Sequence, residues 1–191
     1  MIRTDPGSYE SCGGGDILSD QSTCRILEPD GTTAAELIVE GWTSVLTSLA
    51  FGECGGSRLV VCGENRGRNL HLFAHEDARW ERRWLKRLGG QVTGIHVFGT
   101  DDRVLAATSQ GFLLCYDLLG DLIWHRLLDQ GIWHMVPIAE GVLVVDTSGG
   151  LTAVTASGST ADRGSLPAPC TFAAAGGSVI YLASGSEVFR L

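Results

Sequence analysis

Two stretches of this chain lie over one another without a gap. RVLAATSQGFLLCYDLLGDLIW (103–124) and GVLVVDTSGGLTAVTASGSTAD (141–162) align at an offset of 38 residues, with Val104 over Val142, Leu105 over Leu143, Gly111 over Gly149, Leu113 over Leu151 and Gly120 over Gly158. A repeat of this kind constrains the fold more than any single motif, because each unit must bury its apolar faces against its neighbours. The glycines decide what the unit is made of. In a helix interior Gly111, Gly120 and Gly149 would each cost about 1 kcal/mol. Short apolar runs bounded by Gly, Ser and Asp are instead strand signals. FLLCYD therefore reads as one strand, LLGD as a turn and LIWHRLL as the next strand.

The same order recurs along the chain. RLVVCGENRGRNLHLF (58–73) has an apolar run, a polar turn with Gly67, and then Leu70 and Leu72 in alternation. SVIYLASGSEVFRL (178–191) begins the unit again, and TCRILEPDGTTAAELIVEG (23–41) resembles its later half. Leading segments LTSLAFG (46–52), VTGIHVFG (92–99), IWHMVPIAEG (132–141) and CTFAAAGG (170–177) precede the apolar runs. Four short strands in about forty residues is the period of a propeller blade. The expected fold is all-β: a β-propeller of four-stranded antiparallel blades, about four in this chain, over 22–191. Units 43–90, 92–130 and 132–167 read as complete, and 22–41 and 170–191 as partial. Joining the two partial units would close a small ring. Half of a ring built from two copies, or part of a larger propeller, fits equally. Residues 1–21 are polar and Gly-rich and are expected to form a disordered or loosely attached tail.

With Gly111, Leu113, Asp117, Gly120 and Trp124, the segment VLAATSQGFLLCYDLLGDLIW resembles the repeat of the quinoprotein-like (PQQ-type) β-propellers. WD40-like repeats are the neighbouring pattern, although no Trp-Asp pair and no Gly-His start is present. At 58–84 the match is partial, keeping Gly67, Leu72 and Trp84; at 142–162 Thr155 replaces the Asp and Asp162 replaces the Trp. The resemblance covers about 23–191 and implies an architecture rather than an activity. The family's quinone site is not carried over, because this chain has no adjacent cysteine pair and too few blades; no cofactor is expected. Geometry gives Trp84 and Trp124 a packing role, each an outer-strand aromatic closing the gap to the adjacent blade.

Charge is unevenly distributed. The chain carries −8 overall, which argues against a general nucleic-acid or membrane-surface binder. Residues 58–88 run the other way, with eight basic and four acidic side chains, and Trp80 and Trp84 interleave with the arginines. Arg and Trp together are the composition of interaction hot spots. Arg66, Arg68, Arg79, Trp80, Arg82, Arg83, Lys86 and Arg87 are therefore the candidate partner-binding residues, to be weighed against a solvated outer strand. Within this stretch 77–88 has two readings. A short helix would be capped by Asp77 and ended by Gly89. The blade register makes it an outer strand instead, with Trp84 where Trp124 falls, and the strand is favoured.

Other chemistry is sparse. His71 and His75, four apart on a strand, share a side, and Cys62 is on the strand before them. Zinc asks for three or four such ligands, so these are expected to be ordinary surface or edge histidines, and no metal is expected. No GxSxG, HExxH, P-loop or CxxC motif occurs. Asp117 and Asp146 fit turn caps. The six cysteines read as reduced thiols, and Met1 is followed by polar residues rather than an apolar leader. No stretch approaches the ~18 apolar residues of a spanning helix. The expectation is a soluble, cytoplasmic chain, with the nucleus left open: a non-enzymatic propeller scaffold for protein partners, a second copy or another chain completing it among them. The alternative is a ligand- or cofactor-binding propeller with a central-channel site at His96, His134 and Asp146. Nucleic-acid binding through 65–88 is a lesser alternative.

Overall fold

The computed structural model describes residues 21–27, 33–40, 46–64, 67–176 and 179–191, and every regular element among them is a β-strand. The expected tail at 1–21 lies outside these residues apart from Gln21, and Arg66 lies outside them too. β1 (Gln21–Leu27) and β2 (Thr33–Glu40) form a two-stranded sheet. A four-stranded sheet follows, made of β3 (Leu46–Cys54), β4 (Ser57–Glu64), β5 (Asn69–Glu76) and β6 (Arg79–Arg87). The next contains β7 (Val92–Phe98), β8 (Arg103–Thr108), β9 (Phe112–Asp117) and β10 (Leu122–Leu127). The third contains β11 (Ile132–Ile138), β12 (Gly141–Asp146), β13 (Gly150–Val154) and β14 (Thr160–Ser165). β15 (Cys170–Gly176), β16 (Val179–Ser184) and β17 (Glu187–Arg190) make a last, three-stranded sheet. Strands join in chain order, each antiparallel to the next, so each sheet is a propeller blade, whole or partial.

The repeated glycines occupy one kind of position. The amides of Gly111, Gly120, Gly149 and Gly158 bond to the carbonyls of Thr108, Asp117, Asp146 and Thr155, closing four-residue turns. Their φ values are 88°, 89°, 95° and 83°, a left-handed region open to glycine at little cost. Asp117 and Asp146 cap these turns, each Oδ1 accepting backbone N–H groups two and four residues ahead. Thr155 does the same work where the acid is replaced, its hydroxyl accepting from Ser159 N.

Alternation along the strands sends side chains to two inter-blade cores. Val60 and Cys62 pack with Cys24, Ile26, Leu37 and Val39 of the first sheet. Leu59 and Val61 pack on the other side with Val92, Val104 and Ala106. Leu105 and Ala107 meet Val142 and Val144, and Leu143 and Val145 meet Cys170 and Leu182. Each fully buried Val or Leu contributes about 1.5–3 kcal/mol. Ser48 Oγ bonds Val92 O, and Gly52 lies against Val97, so the leading strands β3 and β7 run side by side in the same direction. Gly94 against Met135 continues the series to β11. These are the inner strands. Each carries a bulge at its second residue, Thr47, Thr93, Trp133 and Thr171.

Two readings left open by the sequence are decided. The partial units do not join into a closed ring: β1–β2 and β15–β17 are separate sheets, so the chain is an open arc among the described residues. At 77–88 the favoured strand is found and the alternative helix is not. Asp77 and Ala78, at φ 47° and 62°, form a left-handed turn, and β6 follows at once.

Candidate partner-binding edge and central cleft

The outer tryptophans define how a blade grips the next one. Trp84 Nε1 donates to Leu118 O at 3.1 Å and Trp124 Nε1 donates to Ala156 O at 2.9 Å, the same position in successive turns. Each ring lies over the glycine two residues further on, Gly120 and Gly158, where a Cβ would stand about 3 Å from ring atoms. This is the packing role that the spacing implied. Blade 132–165 has Asp162 at this position and makes no such contact among the described residues.

β6 is the terminal strand of its sheet and holds most of the candidate residues. Its register with β5 sorts them by face. Trp80, Arg82, Leu85 and Arg87 oppose His75, Phe73, His71 and Asn69, on the side of the first sheet. Arg79, Glu81, Trp84 and Lys86 oppose Glu76, Ala74, Leu72 and Leu70, on the side of the next blade. Arg83 is the extra residue of a bulge and is paired with Glu76. Arg79, Arg82, Arg83 and Arg87 are exposed and Lys86 is half-buried. Arg68 joins them, since its carbonyl accepts from Leu88 N at 2.7 Å and its side chain is exposed. Trp80 is half-buried, with the His75 ring 5.1 Å away and the Arg58 guanidinium 5.9 Å from its centroid. Below Arg83 a pocket of about 220 Å³ opens between Cys54, Leu59, Leu72 and the exposed turn residue Leu119.

Of the two histidines His71 differs from expectation and His75 does not. His71 is not a surface residue. It and Glu64 are both 0% exposed, and their Nε2–Oε1 separation is 2.6 Å. Asn69 Nδ2 donates to the other Glu64 oxygen at 2.9 Å. In the sister blades Thr108, Asp146 and Ser184 stand where Glu64 does, opposite the first residue of the inner strand. Gly67 lies against the Glu64 carboxylate, where a side chain would collide with it, and His71 holds the register position of Leu114 and Thr152. His75 is at the outer end, bonded to Arg58 Nη2 at 3.2 Å. Among the described residues no three His, Cys, Asp or Glu side chains converge as a metal site requires. The Cys62 thiol is held well up by its hydrogen bond with Cys24 and by burial. Burial likewise raises Cys115 to about 11, so neither is poised as a nucleophile.

The proposed channel trio is split. His96 lines an open cleft of about 530 Å³ with Glu53, Phe98, Asp101 and Glu140, at the end where the inner strands finish. His134 and Asp146 belong to the opposite end, where Ile132 pairs with Asp146. Burial lowers His96. Burial also lowers His134, opposed by its bond to the Cys170 backbone. Burial raises Asp146, but bonds from Ser148, Gly150 and Gly149 outweigh it and hold the carboxyl low. The missed feature at this end is Trp133, exposed at the bulge position that is Thr in the three other inner strands.

No described protein family matches the sequence, and no curated protein matches it. Solved structures do. The computationally designed Ika4 protein superposes with a TM-score of 0.63 at 15% identity, over 80% of this chain and 94% of its own. BBS1N, solved in complex with ARL6DN, gives 0.68 at 17% identity, over 91% of this chain and 59% of its own. Sqt1 from Saccharomyces cerevisiae gives 0.69 at 13%, over 87% of this chain and 52% of its own. The chain thus spans little more than half the length of the last two. These likenesses show the fold, a β-propeller, and do not single out the quinoprotein-like type.

Proposed function

We propose that this chain is a non-enzymatic propeller scaffold, a subunit of a larger assembly that holds protein partners on β6. One observation carries the reading: five cationic side chains displayed along one outer strand of a chain whose net charge is −8. Among the described residues Arg79, Arg82, Lys86 and Arg87 have no carboxylate at ion-pair distance. A rigid sheet that presents such groups suits steering and docking of an acidic surface. That BBS1N was solved in complex with ARL6DN supports protein partners for this architecture. Buried free thiols at Cys24, Cys54, Cys62, Cys115 and Cys170 support a reducing compartment, and we place the chain in the cytoplasm. The quinoprotein-like reading of the repeat rests mainly on the 103–124 unit, with a partial match at 58–84, and we carry no cofactor over from it.

The last sheet supports a further part of the same reading, completion of the propeller by another blade from a second copy or a partner chain. Tyr181 and Val188 are 44% and 72% exposed, yet the equivalent Leu143 and Leu151 are buried by the following blade.

Affinity purification of the tagged full-length chain, beside an Arg82→Glu/Arg83→Glu variant, tests the reading. A stable protein partner lost in the variant is expected. No partner, or equal recovery by both, overturns it. A cofactor that stabilises the chain in a thermal-shift screen would favour the channel alternative.

A further inference from the structure

Resting on the reading of β6 as a partner-binding element, we infer how the partner is held: an acidic, extended segment pairs with the outer edge of β6 as a fifth strand of its blade. β6 ends the order of its sheet, and among the described residues nothing pairs with its outer side. An edge strand presents every second N–H and C=O outward, a template for an added strand. Three observations separate β6 from the sister edges. It is nine residues long, against six for β10 and six for β14. It carries Arg79, Arg82, Arg83, Lys86 and Arg87 against one acid, Glu81. Its cations are divided between both faces, Arg82 and Arg87 on one, Arg79 and Lys86 on the other. A segment lying beside it would therefore meet positive charge whichever way its own side chains alternate.

Cationic side chains on an edge can also serve to repel unwanted pairing. The sister edges argue against that here. β10 exposes Leu122, Ile123 and Leu127 with Arg126 as its only permanent cation, and β14 has one Asp and one Arg. This chain does not guard its edges with charge as a rule, so the run on β6 is an addition specific to one blade. The bulge at Arg83 divides the edge, and Arg83 itself is taken by Glu76. Pairing then runs along Arg79–Arg82 and Leu85–Arg87. Its backbone bonds supply affinity without regard to sequence, and the carboxylates opposite the arginines supply the preference.

The test titrates the full-length chain with a nine-residue peptide alternating Glu and Thr, with the same peptide N-methylated at alternate residues, and with its Lys/Thr counterpart. Binding is read by calorimetry and by hydrogen exchange of the β6 amides. The expected result is binding of the Glu/Thr peptide with protection of β6 amides. N-methylation should abolish it, and Arg82→Glu/Arg83→Glu should weaken it about tenfold or more. Equal binding of the N-methylated peptide overturns strand pairing while leaving β6 as a charged docking patch. No binding of any peptide, with a natural partner still recovered through β6, overturns the inference and keeps the function. Tighter binding of single-stranded DNA than of the Glu/Thr peptide overturns it in favour of a nucleic acid.

Discussion

Trp124 shows how one residue couples two blades. It places its ring on Gly158 and its indole N–H on Ala156 O, so truncation removes both packing and a directed bond. Trp124→Ala should destabilise the chain by about 3 kcal/mol, and Trp124→Phe by about 1 kcal/mol, in urea unfolding. This role could be read from the sequence, because Trp84 and Trp124 hold the same place in units whose glycines align. The Glu64–His71 pair could not. Its partners are on either side of a loop longer than its counterparts, and the repeat predicts a small hydroxyl or Asp at 64 and Leu or Thr at 71. A buried pair broken on one side leaves an uncompensated polar group, so Glu64→Ala should cost about 3–5 kcal/mol. Glu64→Thr with His71→Leu writes the Thr108 and Leu114 solution into this blade. It should recover most of that loss in the same measurement.

The strand that departs most from its sisters was also the hardest element to assign. Residues 77–88 have the charges and apolar spacing of a helix, and the correct reading came from register, Trp84 matching Trp124. The turn before β6 explains the ambiguity. Ala78 adopts φ 62°, which an L-residue with a Cβ reaches at a cost of about 1–2 kcal/mol, so the local sequence gives no turn signal. Ala78→Gly should therefore raise stability by about 1 kcal/mol without altering the sheet, measured by thermal unfolding with circular dichroism as the control. The inner-strand bulges were equally hidden. They add one residue at Thr47, Thr93, Trp133 and Thr171, and only the pairing register reveals them.

Across the whole molecule, alternation told which residues face a neighbouring blade but not which blade they meet, and so the closed ring was not excluded by sequence. The exposed side of the last sheet makes the difference measurable. Val188→Asp should change stability by no more than about 0.5 kcal/mol, whereas Leu151→Asp, buried at the equivalent place, should cost about 4 kcal/mol or more in urea unfolding. Acid response is a second property of the whole. His96 and His134 have folded pKa values below the unfolded value of about 6.5, so the unfolded chain binds more protons there. Stability is complete above that value and falls as pH drops through it toward the folded values. Asp146, held low, adds a further loss below about pH 4. Melting temperatures from pH 7.5 to 5 should decline, and His96→Gln with His134→Gln should flatten the decline. The tryptophan contact has a consequence beyond stability. Its socket is a glycine and a backbone carbonyl, and the side chain that bears the carbonyl is Leu in one turn and Ala in the next. A duplicated blade inserted between two others would find that socket ready-made, so the architecture can lengthen by copying without compensating change in the blades on either side.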